Sequence, residues 1–305
     1  MNPLWGIDLG GTKIEGVIIE SAKNPKTLAR LRIPTEQEGG YAHIVSQISK
    51  LVEMLRQETG LQPERIGIGT PGALDPRTQL MKNSNTTCLN GMPLKKDLEA
   101  ALKLPIAMAN DANCFAVAEA VLGVVPDHLP NAEVVFGVIM GTGVGGGVVV
   151  RNKVINGRQG IGGEWGHNFL DESGGPCYCG LTGCVEQVLS GPALEKYYQK
   201  LTGNALKMKE IVAAHELGKD EAAKETMQRL TYFFGRAIAT VINILDPDAI
   251  VIGGGVGNID LLYTKGVEVA KKHAFNTGTD RLDTLFLKPK LGDSAGVFGA
   301  ALLVS

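Results

Sequence analysis

The feature that most narrows the fold is a repeat: strand, glycine turn, strand, once in each half of a 305-residue chain. The first copy runs from a strand at Leu4 to Asp8, through Gly10-Gly11-Thr12, into a β-branched strand at Glu15 to Ile19. The second runs from Val134 to Met140, through Gly141-Thr142-Gly143-Val144-Gly145-Gly146-Gly147, into Val148 to Val150. Strand, turn, strand is a hairpin. A Rossmann or P-loop turn must instead lead into a helix whose N-terminus receives the phosphate. Gly6-Ile-Asp-Leu-Gly-Gly11-Thr12-Lys13 ends Gly-Thr-Lys where a Walker A motif needs Gly-Lys-Ser/Thr, so that reading fails on order. Gly141 to Gly146 matches G-x-G-x-x-G, but the chain continues as β. Either turn alone is an ordinary tight hairpin. Two of them, with a third turn at Gly253-Gly254-Gly255 after the run Ala249 to Ile252, point to concave backbone sites for anions, because no Cβ blocks the approach of a phosphate.

Elsewhere strand and helix signals alternate, which predicts an α/β architecture. A helix is expected from about Ala222 to Leu245, ending at Asp246-Pro247. Another is expected from Ser294 to Val304, where small and apolar residues at helical spacing would cross back to close the structure. The uncharged stretch Val134 to Val150 approaches the length of a membrane span, but six glycines and a threonine interrupt it, so two buried strands are expected and no membrane partner. A formal net charge of -2 leaves no basic footprint for nucleic acid and favours a small-molecule partner. The opening Met-Asn-Pro-Leu-Trp has no export signal, so a cytoplasmic location and reduced thiols are expected. The length suits two domains, with the cleft between them as the default site.

The chemistry concentrates at His167, Cys177, Cys179 and Cys184. Three thiolates and an imidazole are ligands that select Zn²⁺, and four of them fill its tetrahedral shell with no open position. Such a zinc shapes a loop and does no chemistry. Buried thiols that merely pack are the alternative, which Cys-x-Cys-x4-Cys with an upstream histidine disfavours. Glu164 precedes the histidine by three residues and Glu186 follows the last cysteine by two, so the metal is expected to organise a carboxylate-bearing pocket rather than the nucleotide site.

Asp8-Leu-Gly-Gly-Thr-Lys13, Gly67-Ile-Gly-Thr-Pro-Gly72, Asn110-Asp-Ala-Asn113, Gly141 to Gly146, Gly163-Glu-Trp-Gly-His167 and Cys177-Tyr-Cys-Gly-Leu-Thr-Gly-Cys184-Val-Glu186 resemble, in order and over nearly the whole chain, the motifs of the ROK family of sugar kinases and repressors. Within that family, Lys82-Asn-Ser-Asn-Thr-Thr-Cys-Leu-Asn-Gly91, Asn110-Asp-Ala-Asn-Cys114 and Glu164-Trp-Gly-His-Asn168 look most like bacterial manno(fructo)kinases. The resemblance implies a two-lobed actin/hexokinase-type, ribonuclease H-like fold with duplicated sheet-and-helix lobes closing over ATP and sugar. Residues 1–119 plus 294–305 are expected to form the N-terminal lobe and residues 120–293 the C-terminal lobe. A homodimer is also expected.

The resemblance also implies roles. Phosphoryl transfer needs phosphate positioning, a metal to offset charge and an acceptor for the hydroxyl proton. Asp111 lies where the strand-like Pro105 to Ala109 gives way to the helical pattern Cys114 to Leu122. By position it serves equally as a helix cap or as the base, and the family match assigns the base. Asn110, Glu164, His167 and Glu186 are assigned to sugar hydroxyls, with Gly72 and Asn85 beside them. A solvated helix-start acid remains the alternative for Glu186, and a loop residue bonding its own backbone the alternative for Asn85. Gly162, Gly163 and Gly166 predict a glycine loop around Glu164 and His167, and the second ring nitrogen of His167 is expected to donate to sugar or a carboxylate. Gly6, Asp8, Gly10, Gly11, Thr12 and Lys13 are expected at the Mg²⁺-nucleotide, with Gly141, Thr142, Gly143, Gly145 and Gly146 on the phosphates and Gly253, Gly254 and Gly255 against adenosine. The expected activity is transfer of the γ-phosphoryl group of ATP to the 6-hydroxyl of a hexose, fructose first and mannose also, with glucose or an N-acetylhexosamine as alternatives. A sugar-sensing repressor is the other class, disfavoured because no helix-turn-helix precedes Gly10.

Overall fold

The computed structural model describes residues 2–275 and 282–305. In chain order the strands are β1 Leu4–Leu9, β2 Lys13–Ile19, β3 Thr27–Pro34, β4 Ile66–Thr70, β5 Ala73–Leu74, β6 Met81–Lys82, β7 Ile106–Asn110, β8 Val134–Met140, β9 Val144–Val150, β10 Lys153–Val154, β11 Ala249–Gly253 and β12 Leu285–Leu287. The helices are α1 Gly40–Thr59, α2 Leu94–Leu102, α3 Asp111–Val121, α4 Val125–His128, α5 Val185–Leu189, α6 Gly191–Thr202, α7 Met208–Glu216, α8 Glu221–Leu245, α9 Gly254–Gly257, α10 Lys265–His273 and α11 Ala295–Leu302. No helix among the described residues is long and apolar enough to cross a membrane.

The repeat read from the sequence is a repeat of topology. One five-stranded sheet has the order β3-β2-β1-β4-β7 and the other the order β10-β9-β8-β11-β12. In the first, β1 and β2 form the antiparallel hairpin while β4 and β7 add parallel. In the second, β11 lies parallel to both β8 and β12. The chain divides into two compact units, residues 1–130 with 147–163 and 290–305, and residues 131–146 with 164–289. The first thus takes in the segment 147–163 as well as the two ends of the chain.

In the first unit, period-2 alternation puts Trp5, Ile7 and Leu9 of β1 and Ile14 and Ile18 of β2 into one core cluster with Ile44, Ile48, Leu51, Val52 and Leu55 of α1. Those α1 residues recur at helical spacing and form its apolar stripe. The helix ends at Gly60, whose φ of 69° is left-handed and whose N–H closes on the Arg56 carbonyl. The opposite sheet face presents Val17 and Ile19 to Val297 and Ala301 of α11. The expected closing helix is therefore present.

Alpha-helix α11 is built of small residues because it lies almost on the sheet backbone. A Cβ added at Gly67 of β4 would stand 1.8 Å from the Ala300 carbonyl oxygen, and one at Gly299 would stand 1.9 Å from that of Cys114 in α3. At an exposed helix position Gly→Ala gains about 1 kcal/mol from propensity. At Gly299 the backbone clash outweighs that gain. Gly299→Ala is expected to destabilise the protein by about 1–3 kcal/mol, read as a lower midpoint in denaturant unfolding. An unchanged or raised midpoint would refute this packing account.

In the second unit the 25-residue helix α8 supplies the core. It buries Met227, Leu230, Phe234, Ile238, Val241 and Ile242 and packs against α5, α6, α7 and α10. The helix starts at Asp220, whose carboxylate accepts from the N–H of Ala223 at 2.9 Å.

Candidate functional site

The first unit gathers its carboxylates at the C-terminal ends of β1 and β7. The hairpin turn after β1 is closed by the N–H of Gly10 donating to the Lys13 carbonyl at 3.0 Å. It is braced by the Thr35 hydroxyl donating to the Gly10 carbonyl at 2.6 Å. Gly11, Thr12 and Lys13 lie on the accessible turn. Gly6 sits elsewhere, buried in the middle of β1, where a Cβ would meet the Ala301 nitrogen at 2.4 Å. Its glycine is required by packing under α11.

Asp8 ends the run into that turn. Its carboxyl is pushed up to about 6, by burial first, then by the negative charges of Asp111 and Glu15, while Lys13 and Arg32 pull the other way. Glu15 pairs opposite Asp8 across the hairpin and is itself clamped by Arg30 and, at 2.7 Å, by Arg32. A Cβ at Gly296 of α11 would stand 2.6 Å from Asp8 Oδ2. Two sides of Asp8 are thus fixed by its neighbours.

Asn110 is the residue that caps α3: its side-chain oxygen accepts from the N–H of Asn113 at 2.8 Å. Asp111 is relieved of capping and stands as the first residue of the helix, with Oδ1 accepting from the N–H of Ala112 at 2.8 Å. Water reaches its surface, yet it lies in a recess crowded by protein, and this desolvation raises its carboxyl above the ordinary value, with backbone hydrogen bonds opposing. The buried Cys114 lies one turn further along α3, its thiol pushed well up by burial and by Asp8 and Asp111. Gly72 is buried under Ser84, where a Cβ would meet the Ser84 Cα at 2.7 Å. Asn85 is exposed, and its backbone N–H donates to the Pro71 carbonyl at 3.3 Å.

The second unit holds the other glycine turn, the cysteine loop and a cavity. The turn is shorter than the sequence suggested. Gly141, Thr142 and Gly143 alone make it, with the Gly141 N–H donating to the Gly143 carbonyl at 2.9 Å, and Gly145 and Gly146 already belong to β9. The Gly253-Gly254-Gly255 turn leads into a helix, the short α9, not into a strand. Gly254 has φ of 83° and presses on the Met140 backbone, which only glycine allows. Gly141, Thr142 and Gly255 line one cavity of about 1100 Å³, together with Gly191, Glu195, Lys207, Met208, Val212, His215, Met227, Val256 and Ile259. Sequence reasoning missed the α6 and α7 members of this lining. They carry no motif, and only the Glu210 carboxylate, which accepts from the Lys207 N–H at 2.8 Å, marks the start of α7.

The cysteine loop is a small knot of turns. Gly180 N–H donates to the Cys177 carbonyl, Cys177 N–H to Leu181, and Gly183 N–H to Gly175. The ligand atoms of His167, Cys177, Cys179 and Cys184 all lie within 4.8 Å of one another. Three thiols and an imidazole at that spacing fit a tetrahedral Zn²⁺. His167 Nδ1 faces the Cys177 sulfur at 3.7 Å, while Nε2 meets the Tyr178 hydroxyl at 3.1 Å, so its second nitrogen contacts a phenol and not a carboxylate. The expected glycine loop is a single 3-10 turn, Trp165–His167, entered from Glu164. The turn stays tight because the Trp165 indole N–H donates to the Gly145 carbonyl at 3.0 Å and Gly166 lies against the Val144 carbonyl.

Glu186 is a buried acid, not a solvated one. Its Oε2 accepts from the Val144 N–H at 3.0 Å, and a Cβ at Gly143 would fall 2.7 Å from that oxygen. One carboxylate therefore joins the cysteine loop, two residues from Cys184, to the second glycine turn. The sequence reading had kept the metal loop and the nucleotide turns separate.

The ROK family model matches residues 4–305. An N-acetyl-D-glucosamine kinase of Aliivibrio fischeri is 35% identical over 98% of this chain and 98% of its own. The structure of a ROK hexokinase from Thermus thermophilus superposes with a TM-score of 0.86 at 31% identity, covering 99% of this chain and 97% of that one. A ROK family glucokinase from Streptomyces griseus, in complex with glucose and AMPPNP, gives 0.74 at 27% identity, covering 98% of each chain. Relatives in Aliivibrio salmonicida (35% identical) and Salmonella newport (33%) likewise carry the name of an N-acetyl-D-glucosamine kinase and not of a fructokinase. The chain belongs to the ROK family, as one of its sugar kinases.

Proposed function

We propose that this protein transfers the γ-phosphoryl group of ATP to the 6-hydroxyl of N-acetyl-D-glucosamine. The observation that carries the substrate is the full-length 35% identity to an N-acetyl-D-glucosamine kinase. Fructose and mannose, favoured by the segment Lys82 to Gly91, become the second reading.

In this proposal Asp111 accepts the proton of the attacking hydroxyl, since its raised carboxyl is a better proton acceptor than an ordinary aspartate. Its position at the start of α3 fixes the carboxylate while Asn110 serves as the cap. The backbone of Gly10, Gly11 and Thr12, with Lys13, and that of Gly141, Thr142 and Gly143 receive phosphate oxygens. The cavity bounded by Gly255, Val256, Met208 and Val212 takes the adenosine, its apolar walls suiting a base. Asp8 is the acid that would face Mg²⁺, which when bound offsets phosphate charge. Burial first, and then the charges of Asp111 and Glu15, hold its carboxyl near 6, and a bound cation would favour the ionised form against both. Glu164, His167 and Glu186 hold sugar hydroxyls. Zn²⁺ would be held by His167, Cys177, Cys179 and Cys184 and would shape the loop without a vacancy for water.

Coupled measurement of ADP release with N-acetylglucosamine, glucose, mannose and fructose tests the substrate. The specificity constant for N-acetylglucosamine is expected to exceed each of the others by at least about tenfold, the discrimination that one recognised substituent provides. A fructose value above that for N-acetylglucosamine would return the assignment to the second reading.

A further inference from the structure

The first glycine turn has donors to spare. Its Gly10 N–H is used on the Lys13 carbonyl and its Thr12 carbonyl on the Thr35 N–H, but among the described residues the N–H groups of Gly11 and Thr12 donate to no protein atom. Two side chains from outside the turn converge on the same place. The point where a side chain would project from Gly11 is flanked by Gln37 Oε1 at 3.7 Å and the Thr86 hydroxyl at 3.9 Å and, chain neighbours aside, by no other described atom within 4 Å. Neither side chain hydrogen-bonds to a described residue, although Thr86 is buried.

Gln37 reaches this position against a backbone cost. Glu36 before it has φ of 51° and ψ of 52°, left-handed where the residue that opens a helical turn is ordinarily extended. Such a conformation costs on the order of 1–3 kcal/mol and persists only where the surroundings enforce it. Here α1 does so. Glu36 Oε2 lies 2.7 Å from His43 Nε2 and accepts from Gln47 Nε2 at 3.2 Å, while the buried Gln47 also donates to the Pro34 carbonyl at 3.0 Å. The His43 ring closes over Gly39, where a Cβ would stand 2.6 Å from it. The short 3-10 turn Gln37–Gly39 is thereby bolted down with its first side chain beside Gly11.

We propose that Gln37 and Thr86 complete the anion site of the first turn, the Gln37 amide and the Thr86 hydroxyl donating to a phosphate oxygen held on the Gly11 and Thr12 N–H groups. The inference rests on the assignment of that turn to phosphate made above, and not on which sugar is phosphorylated. A phosphate oxygen only accepts, so each partner must be a donor. The two ends of an unpartnered amide exchange by a half-turn of its last bond, which brings the Gln37 N–H to the turn. Glu36, held by His43 and Gln47, is the positioning residue behind it.

The test uses ATP and the sugar that the parent phosphorylates best. Gln37→Leu removes the donor at similar size, and kcat/KM for ATP is expected to fall about tenfold to a hundredfold, the span of a hydrogen bond to a charged group. Gln37→Glu keeps the shape of the amide and should fall further, because a carboxylate repels phosphate. Sugar KM and Tm should not move. A merely structural contact predicts the opposite order, with the same-shaped Glu the milder change. Thr86→Val is expected to lower the same constant by about threefold or more, and an unchanged constant removes Thr86 from the site. A Gln37→Leu value within twofold of the parent overturns the inference, as does a Gln37→Glu value no lower than that of Gln37→Leu, and either leaves the kinase reading standing. A loss confined to the sugar KM also overturns it, assigning Gln37 to the sugar. A parent that transfers phosphate from ATP to no hexose overturns the inference and the phosphate reading of the turn together.

Discussion

Asp111→Asn is expected to lower kcat by about 10²–10⁴-fold, with the sugar Kd, read by calorimetry, changed far less. The substitution keeps shape and the hydrogen bond from Ala112 but removes the proton acceptor. A structural role would predict the reverse, a loss of folding with binding and rate declining together. The helix cap resides on Asn110, so Asn at 111 does not uncap α3. Turnover within a few-fold of the parent would remove Asp111 from the mechanism. The pH profile gives a second view. An acid whose carboxyl is raised must lose its proton before it serves, so kcat/KM of the free enzyme should fall as pH drops through about 6, the Asp8 value. Asp8→Asn should remove the limb near 6 as well as most activity, leaving only the limb of Asp111 itself. A limb that persists unchanged in the residual activity of Asp8→Asn would assign it to another group.

Cys184→Ser is expected to reduce zinc from about one per chain to a small fraction, raise the sugar KM on the order of tenfold or more and lower Tm. Cys184 is fully buried at the end of the loop and opens α5, so a missing ligand there loosens Val185 and Glu186 directly. Because Glu186 also accepts from the Val144 N–H behind the second glycine turn, the KM for ATP should rise too, by a smaller factor. The ordering of the two effects is the check. A metal-free protein with normal sugar KM, or one in which only ATP binding fails, would show that the loop does not shape the sugar pocket. Metal content is read by elemental analysis.

Much of this architecture is legible in the sequence because it rests on local chemistry. Two hairpins with glycine turns, the α8 run to Asp246-Pro247 and the small-residue helix at the C-terminus all emerge from periodicity and breakers. The cysteine loop is legible because ligand chemistry permits few alternatives. The failures share a cause, which is that a glycine has two uses and sequence does not say which. Gly145 and Gly146 were read as turn and lie in β9, and Gly147 beside them is glycine because a Cβ would meet the Ala112 carbonyl at 2.7 Å. Gly6 is likewise a packing glycine under α11. The cavity residues of α6 and α7 are silent because they meet only when two helices with no shared motif fold together. Gln37 is silent because nothing about a glutamine after a strand says that a left-handed Glu36 sets it beside Gly11.

The last helix has a consequence for how the chain is made. The face of β2 that carries Val17 and Ile19 is covered by Val297 and Ala301, residues that emerge from the ribosome some 280 positions later. Until Val297 and Ala301 have been made, the first hairpin stands with an apolar face bare, while residues 164–289 of the second unit are already synthesised. Chains fold domain by domain as they are synthesised, and exposed apolar sheet faces are where such intermediates associate. A nascent chain stalled before Ala295 would therefore be a client for chaperones, however sound its second unit.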